Sequence, residues 1–107
     1  TKEFEESCRT ILQSARTALN PRFILIEPFV LPFPEDRRQW RADIDPKIRV
    51  VRKLAKEYSA ILVPMDKIMN KAALVTEPAS WAHDGVHPSP AGHALIAQSW
   101  LKAVNAM

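Results

Sequence analysis

The chain of 107 residues is 47% hydrophobic and 25% charged, a balance that excludes a disordered or fibrous protein and suits one small domain. Its one cysteine, Cys8, excludes an internal disulfide framework and fits a reducing compartment such as the cytoplasm, and no apolar run approaches the ~18 residues that a membrane span needs. The formal charge of +3 gathers in Arg37, Arg38, Arg41 and the run from Lys47 to Lys56, where no aromatic residue interleaves, so it reads as a solvated helix face and not as a nucleic-acid footprint.

Phe4, Cys8, Ile11, Leu12, Ala15 and Leu19 recur at helical spacing and predict an amphipathic helix from about Lys2 to Leu19, stopped by Asn20-Pro21. Arg22–Glu27 follows as a short, apolar, β-branched run that predicts a buried strand. From Pro28 to Asp45 no regular pattern persists, and Pro28, Pro32, Pro34 and Pro46 punctuate the stretch and its exit; a loop this long tends to be functional. Asp45 and Pro46 read as the N-cap and first position of a second helix that turns Ile48, Val51, Leu54, Ala55 and Tyr58 inward. Ala60–Val63 predicts a second strand, and Met65, Ile68, Met69 and Ala72 a short helix. A last helix should bury Ile96, Ala97, Trp100, Leu101 and Val104.

The order α-β-α-β-α-α implies a parallel sheet with right-handed crossovers. Both strands are apolar on successive residues, as strands covered on both faces are, yet only two are present where sheets usually have ~4–6. Either the chain oligomerises through its sheet or it is part of a larger domain.

The stretch Trp81–Gly92, W-A-H-D-G-V-H-P-S-P-A-G, carries the chemistry. Gly85 and Pro88 shape a loop, and Ser89-Pro90 reads as the N-cap and first residue of the last helix. Parallel α/β sheets bind ligands at the carboxyl ends of their strands. Three segments should reach that rim: Pro28 onward, Pro64–Asp66, and the loop with Asp84 and His87. Phe29, Val30 and Trp40 should border the crevice, with Trp81 a further lining candidate. A carboxylate that orients an imidazole leaves the other ring nitrogen to take a proton from a nucleophile, the arrangement acyl transfer uses most often. The competing reading makes Asp84 a cap and His87 a packing residue. The spacing of His83 and His87 would suit a metal pair on a helix, but Gly85 and Pro88 argue against a helix there, so no metal is expected.

The block D-G-V-H-P-S-P-A-G-H-A-L-I-A, Asp84 to Ala97, resembles the last conserved block of the SGNH (GDSL-type) hydrolases, and the order of elements before it is similar to the second half of that family. The tryptophan at the start of the block and the proline-rich loop after the first strand look most like its carbohydrate acetyl esterases. The resemblance implies a three-layer, flavodoxin-like α/β fold of which this chain supplies the C-terminal half, two parallel strands plus helices. It implies a Ser-His-Asp triad without cofactor, with His87 as general base and acid and Asp84 as its orienting partner. The implied substrate is a small acyl ester, acetylated sugars included; a lipase or thioesterase of the same family, or a non-catalytic half-domain that pairs with a partner, are the alternatives. The family's Gly-Asp-Ser nucleophile and its Gly-x-Asn-Asp block have no counterpart in the sequence. Both deficits, strands and nucleophile, point to a half preceding Thr1, and the chain alone is expected to be inactive.

Overall fold

The computed structural model describes residues 1–105. It comprises helix α1 (Lys2–Leu19), strand β1 (Ile24–Ile26), a 3-10 turn (Glu35–Trp40), helix α2 (Arg41–Glu57), strand β2 (Ile61–Val63), helix α3 (Met65–Val75), a second 3-10 turn (Pro78–Ser80) and helix α4 (Pro90–Asn105). The element order expected from the sequence is present. Asn20 ends α1 in the left-handed region (φ 46°), which asparagine tolerates better than most residues, and its N–H caps the carbonyls of Ala15 and Arg16.

β1 and β2 pair in parallel, Ile24 opposite Ile61, Leu25 opposite Leu62 and Ile26 opposite Val63, and they form a two-stranded sheet among the described residues. Alternation along the strands sends side chains to two cores. On one face Ile24, Ile61 and Val63 join Leu31, Met65, Met69, Ala82 and Ala103, beneath α3 and α4. On the other Leu25 joins Leu12, Val50, Leu54 and Tyr58, between α1 and α2. The result is helix, sheet, helix: three layers built on a sheet two strands wide.

α2 starts a turn earlier than Asp45. Arg41 bonds Asp45 one turn on (2.5 Å) and grips both carboxylate oxygens of Asp66 at 2.8 Å, and these bonds hold an extra turn that leaves Pro46 inside the helix, where its missing N–H costs a bond to Ala42. Asp45 is thus a pairing residue and not a cap, and the preceding stretch is partly regular. α4 is also turned from its expected face. Gly92, Leu95, Ile96, Ser99 and Ala103 face the core, while Trp100 and Leu101 stay 43% and 52% exposed. The helix is apolar around much of its girth, so spacing offers two candidate faces, and close approach selects the one with small residues. A side chain on Gly92 would place its Cβ 2.2 Å from the Trp81 carbonyl oxygen. On α1, Ile11 (69%) and Leu19 (79%) likewise remain exposed, as does Ile26 of β1 (41%).

Candidate active site

The second 3-10 turn and the buried Ala82 deliver the chain to Asp84. Gly85 takes φ +87°, open to glycine at little cost, and a Cβ there would lie 2.1 Å from the Phe33 carbonyl oxygen. The turn folds the next two amides back onto Asp84: its Oδ1 accepts the N–H of Val86 (3.0 Å) and of His87 (2.7 Å). Its Oδ2 meets His87 Nδ1. Because an ionised carboxylate only accepts, the neutral imidazole carries its proton on Nδ1, and Nε2 is left as an acceptor on a side chain that is 78% exposed.

Those same contacts hold the Asp84 carboxyl well below its usual range; the backbone N–H of His87 contributes most, then the imidazole, then the N–H of Val86. A carboxylate whose folded pKa is lowered stabilises the fold above its unfolded value and loses that contribution only as pH falls through the folded value. Asp84 therefore stays ionised through the neutral and mildly acidic range.

Ser89 ends the loop. Its Oγ donates to the Ser80 carbonyl (2.7 Å) and accepts the Gly92 N–H at the start of α4 (3.1 Å). This is a helix cap, with the hydroxyl proton already engaged.

The three rim segments meet. Asp66 Oδ1 accepts the Val30 N–H (3.2 Å), Asn70 Nδ2 donates to the carbonyls of Asp66 (2.8 Å) and Val30 (3.3 Å), and Arg41 joins the knot from α2. Asp66 is the main cause of an upward shift at the Arg41 guanidinium. Leu31 N–H reaches Gly85 O at 3.0 Å, so the loop after β1 is bound directly to the Asp84 loop. Arg37 adds a second tie: its Nε donates to Asp84 O (2.8 Å), and its guanidinium lies 4.2 Å from the Trp40 ring centroid.

The expected lining residues separate on burial. Val30 is 1% exposed, so its side chain belongs to the interior and does not border a crevice; its contribution is the backbone in the knot. Phe29 and Trp81 are partly buried against the core beneath α4. Trp40 stands 41% exposed beside Arg37, and Phe33, outside the expected set, is 42% exposed. Sequence reading put Asp66 at the rim without giving it a role and passed over Asn70 and Arg37, the latter as one of a run of surface charges; the spacing of Arg37 and Trp40 across one 3-10 turn was the available signal. His83 is exposed, and among the described residues no three His, Cys, Asp or Glu side chains group as metal ligands.

Residues 1–95 match the sequence profile described as the GDSL-like Lipase/Acylhydrolase family. An acetylxylan esterase from Geobacillus stearothermophilus is 29% identical over 102 residues, 95% of this chain and 46% of that protein. A crystal structure from Parabacteroides merdae assigned as a GDSL-like lipase superposes with a TM-score of 0.84 at 30% identity, covering 96% of this chain and 49% of its own. A catalytic mutant of the Geobacillus stearothermophilus acetylxylan esterase Axe2, with histidine changed to alanine, superposes with a TM-score of 0.80 at 27% identity, covering 97% of this chain and 47% of that one. The chain thus spans about half the length of these relatives. With its three-layer α/β architecture and its Asp-x-x-His-Pro loop at the strand rim, the chain belongs to the GDSL-like lipase/acylhydrolase family.

Proposed function

We propose that this chain is the C-terminal part of a serine esterase that hydrolyses small acyl esters, acetyl esters of carbohydrates foremost, and that His87 and Asp84 are two members of its Ser-His-Asp triad. The observation that carries the reading is the fixed tautomer: Asp84 Oδ2 holds Nδ1 of His87, and Nε2 stays free and accessible. In the reaction, Nε2 takes the proton of an attacking serine hydroxyl, Asp84 stabilises the imidazolium that forms, and the same nitrogen returns the proton to the leaving alkoxide. Water then repeats the sequence on the acyl-enzyme. The sugar component rests on the similarity to acetylxylan esterase.

The serine and the oxyanion-hole donors come from a complementing half that this sequence does not contain. Two apolar grooves suit its attachment. One, of about 700 Å³, runs along β1 between α1 and α2; the other, of about 730 Å³, lies between β2 and α4. Without that half no acylation route exists, so the chain alone should show no His87-dependent turnover of p-nitrophenyl acetate. Joined to the complementing half, His87→Ala should lower kcat by ~10⁴-fold. Retention of the wild-type rate would remove His87 from the mechanism, and turnover by the isolated chain that disappears in Ser89→Ala would make Ser89 the nucleophile.

A further inference from the structure

We propose that Arg37 is a positioning residue for the Asp84–His87 pair, setting the carboxylate toward the imidazole by holding the Asp84 carbonyl. The inference deepens the reading of the pair as part of a triad and rests on it.

Burial holds the pair unevenly: the Asp84 side chain is 26% exposed, but that of His87 is 78% exposed. Its own hydrogen bonds are local, from Asp84 to the two residues that follow and to the ring they carry. Local bonds define the shape of the turn but not its placement on the fold. Besides the short-range bond from Gly85 N–H to Ala82 O (2.9 Å), two hydrogen bonds from distant segments reach Asp84–His87 among the described residues. One is the backbone bond from Leu31 to Gly85 O. The other is Arg37 Nε to Asp84 O at 2.8 Å, which comes from a side chain.

Arg37 is suited to that task. Its guanidinium is planar, permanently charged and stacked on Trp40, 4.2 Å from the ring centroid, so its donor is aimed before the bond forms. Its stem packs on the turn itself: a Cβ on Gly85 would lie 3.1 Å from Arg37 Cγ. The Arg37 side chain is only 20% exposed, which limits screening of the bond. A donor on the Asp84 carbonyl fixes the peptide plane from which the Gly85 turn departs. That plane decides whether Val86 and His87 amides still converge on Oδ1 and whether Oδ2 still meets Nδ1. Arg37 bonds the Asp84 carbonyl and not the imidazole, so its action on His87 passes through Asp84.

The test uses the 107-residue chain and needs no activity. With the imidazole neutral, ring nitrogen NMR shifts of His87 give the ratio of Nδ1–H to Nε2–H tautomers. In the wild type Nδ1–H should predominate. Arg37→Ala and the near-isosteric Arg37→Met should each lower the ratio by about threefold or more, the effect of losing one partly screened charged hydrogen bond, while thermal melts show the fold retained. Asp84→Asn should lower it further. If Asp84→Asn leaves the ratio unchanged, the pair itself is misread and the proposed triad role falls. If Asp84→Asn lowers the ratio and both Arg37 variants keep the wild-type value, the triad reading stands and the role of Arg37 is overturned. Loss of the fold in both variants would also overturn it, since Arg37 would then serve the fold at large.

Discussion

The two ends of this molecule differ in how complete they are. At the strand rim, Leu31, Met65, Met69 and Ala82 are fully or almost fully buried, and the polar groups of Asp66, Arg41, Asn70, Ser89 and Asp84 all have partners. Along the flanks, Ile11, Ile26, Trp100 and Leu101 are between 41% and 69% exposed, on elements that are regular in themselves. Each such side chain would gain about 1 kcal/mol on completing its burial, so the flanks hold unused association energy on otherwise finished elements, while the outer edge of the rim leaves Phe33 (42%) and Trp40 (41%) comparably open. Glu27 shows both conditions in one residue. It is 2% exposed, its Oε2 accepts Arg52 Nε at 2.6 Å, and its Oε1 has no partner among the described residues. The rim is held together by contacts among the described residues, and the flanks leave apolar side chains open.

Substitutions at the two ends should therefore differ in cost. Gly85→Ala at the rim meets both a positive φ and the Phe33 carbonyl, and should cost about 3 kcal/mol or more in urea unfolding; a wild-type midpoint would mean that the turn relaxes freely and the rim is no tighter than the flanks. Arg52→Ala strands the Glu27 carboxylate in the interior. Because Arg52 is itself half-exposed, the expected loss is about 2–3 kcal/mol, below the full value for a buried pair, and Glu27→Gln in the same background should recover part of it. Ser89→Ala removes the cap of α4 and should cost ~1 kcal/mol by the same measurement. Leu101→Lys, on the open flank, should shift the stability of the isolated chain by less than about 0.5 kcal/mol. A larger loss there would mean that Leu101 is already covered, and the contrast between rim and flank would disappear.

What was legible in the sequence follows from the range of the interactions involved. The Asp84–His87 pair could be read because its partners lie within three residues: one glycine with a positive φ is enough to bring Oδ1 to two amides and Oδ2 to the ring. Ser89 as a cap was legible for the same reason. The start of α2 was not, because Arg41 depends on Asp66, 25 positions away, and the cap signal of Asp45-Pro46 was the stronger local cue. Arg37 could not be told from its charged neighbours, since its acceptor is 47 positions away. The inward face of α4 depended on how close Trp81 comes to Gly92, a distance that helical periodicity does not encode. The strand deficit was legible because counting strands needs no geometry at all.

The contact between Gly85 and the loop after β1 bears on how this site could be moved to another scaffold. Leu31 N–H is bonded to Gly85 O, the Phe33 carbonyl occupies the space a Gly85 side chain would need, and Arg37 holds Asp84 O. A graft that carried only residues 84–87 would leave behind the surface against which the turn is shaped. The smallest transferable unit is two segments, 31–37 with 84–87, and recombination that separates them divides the site.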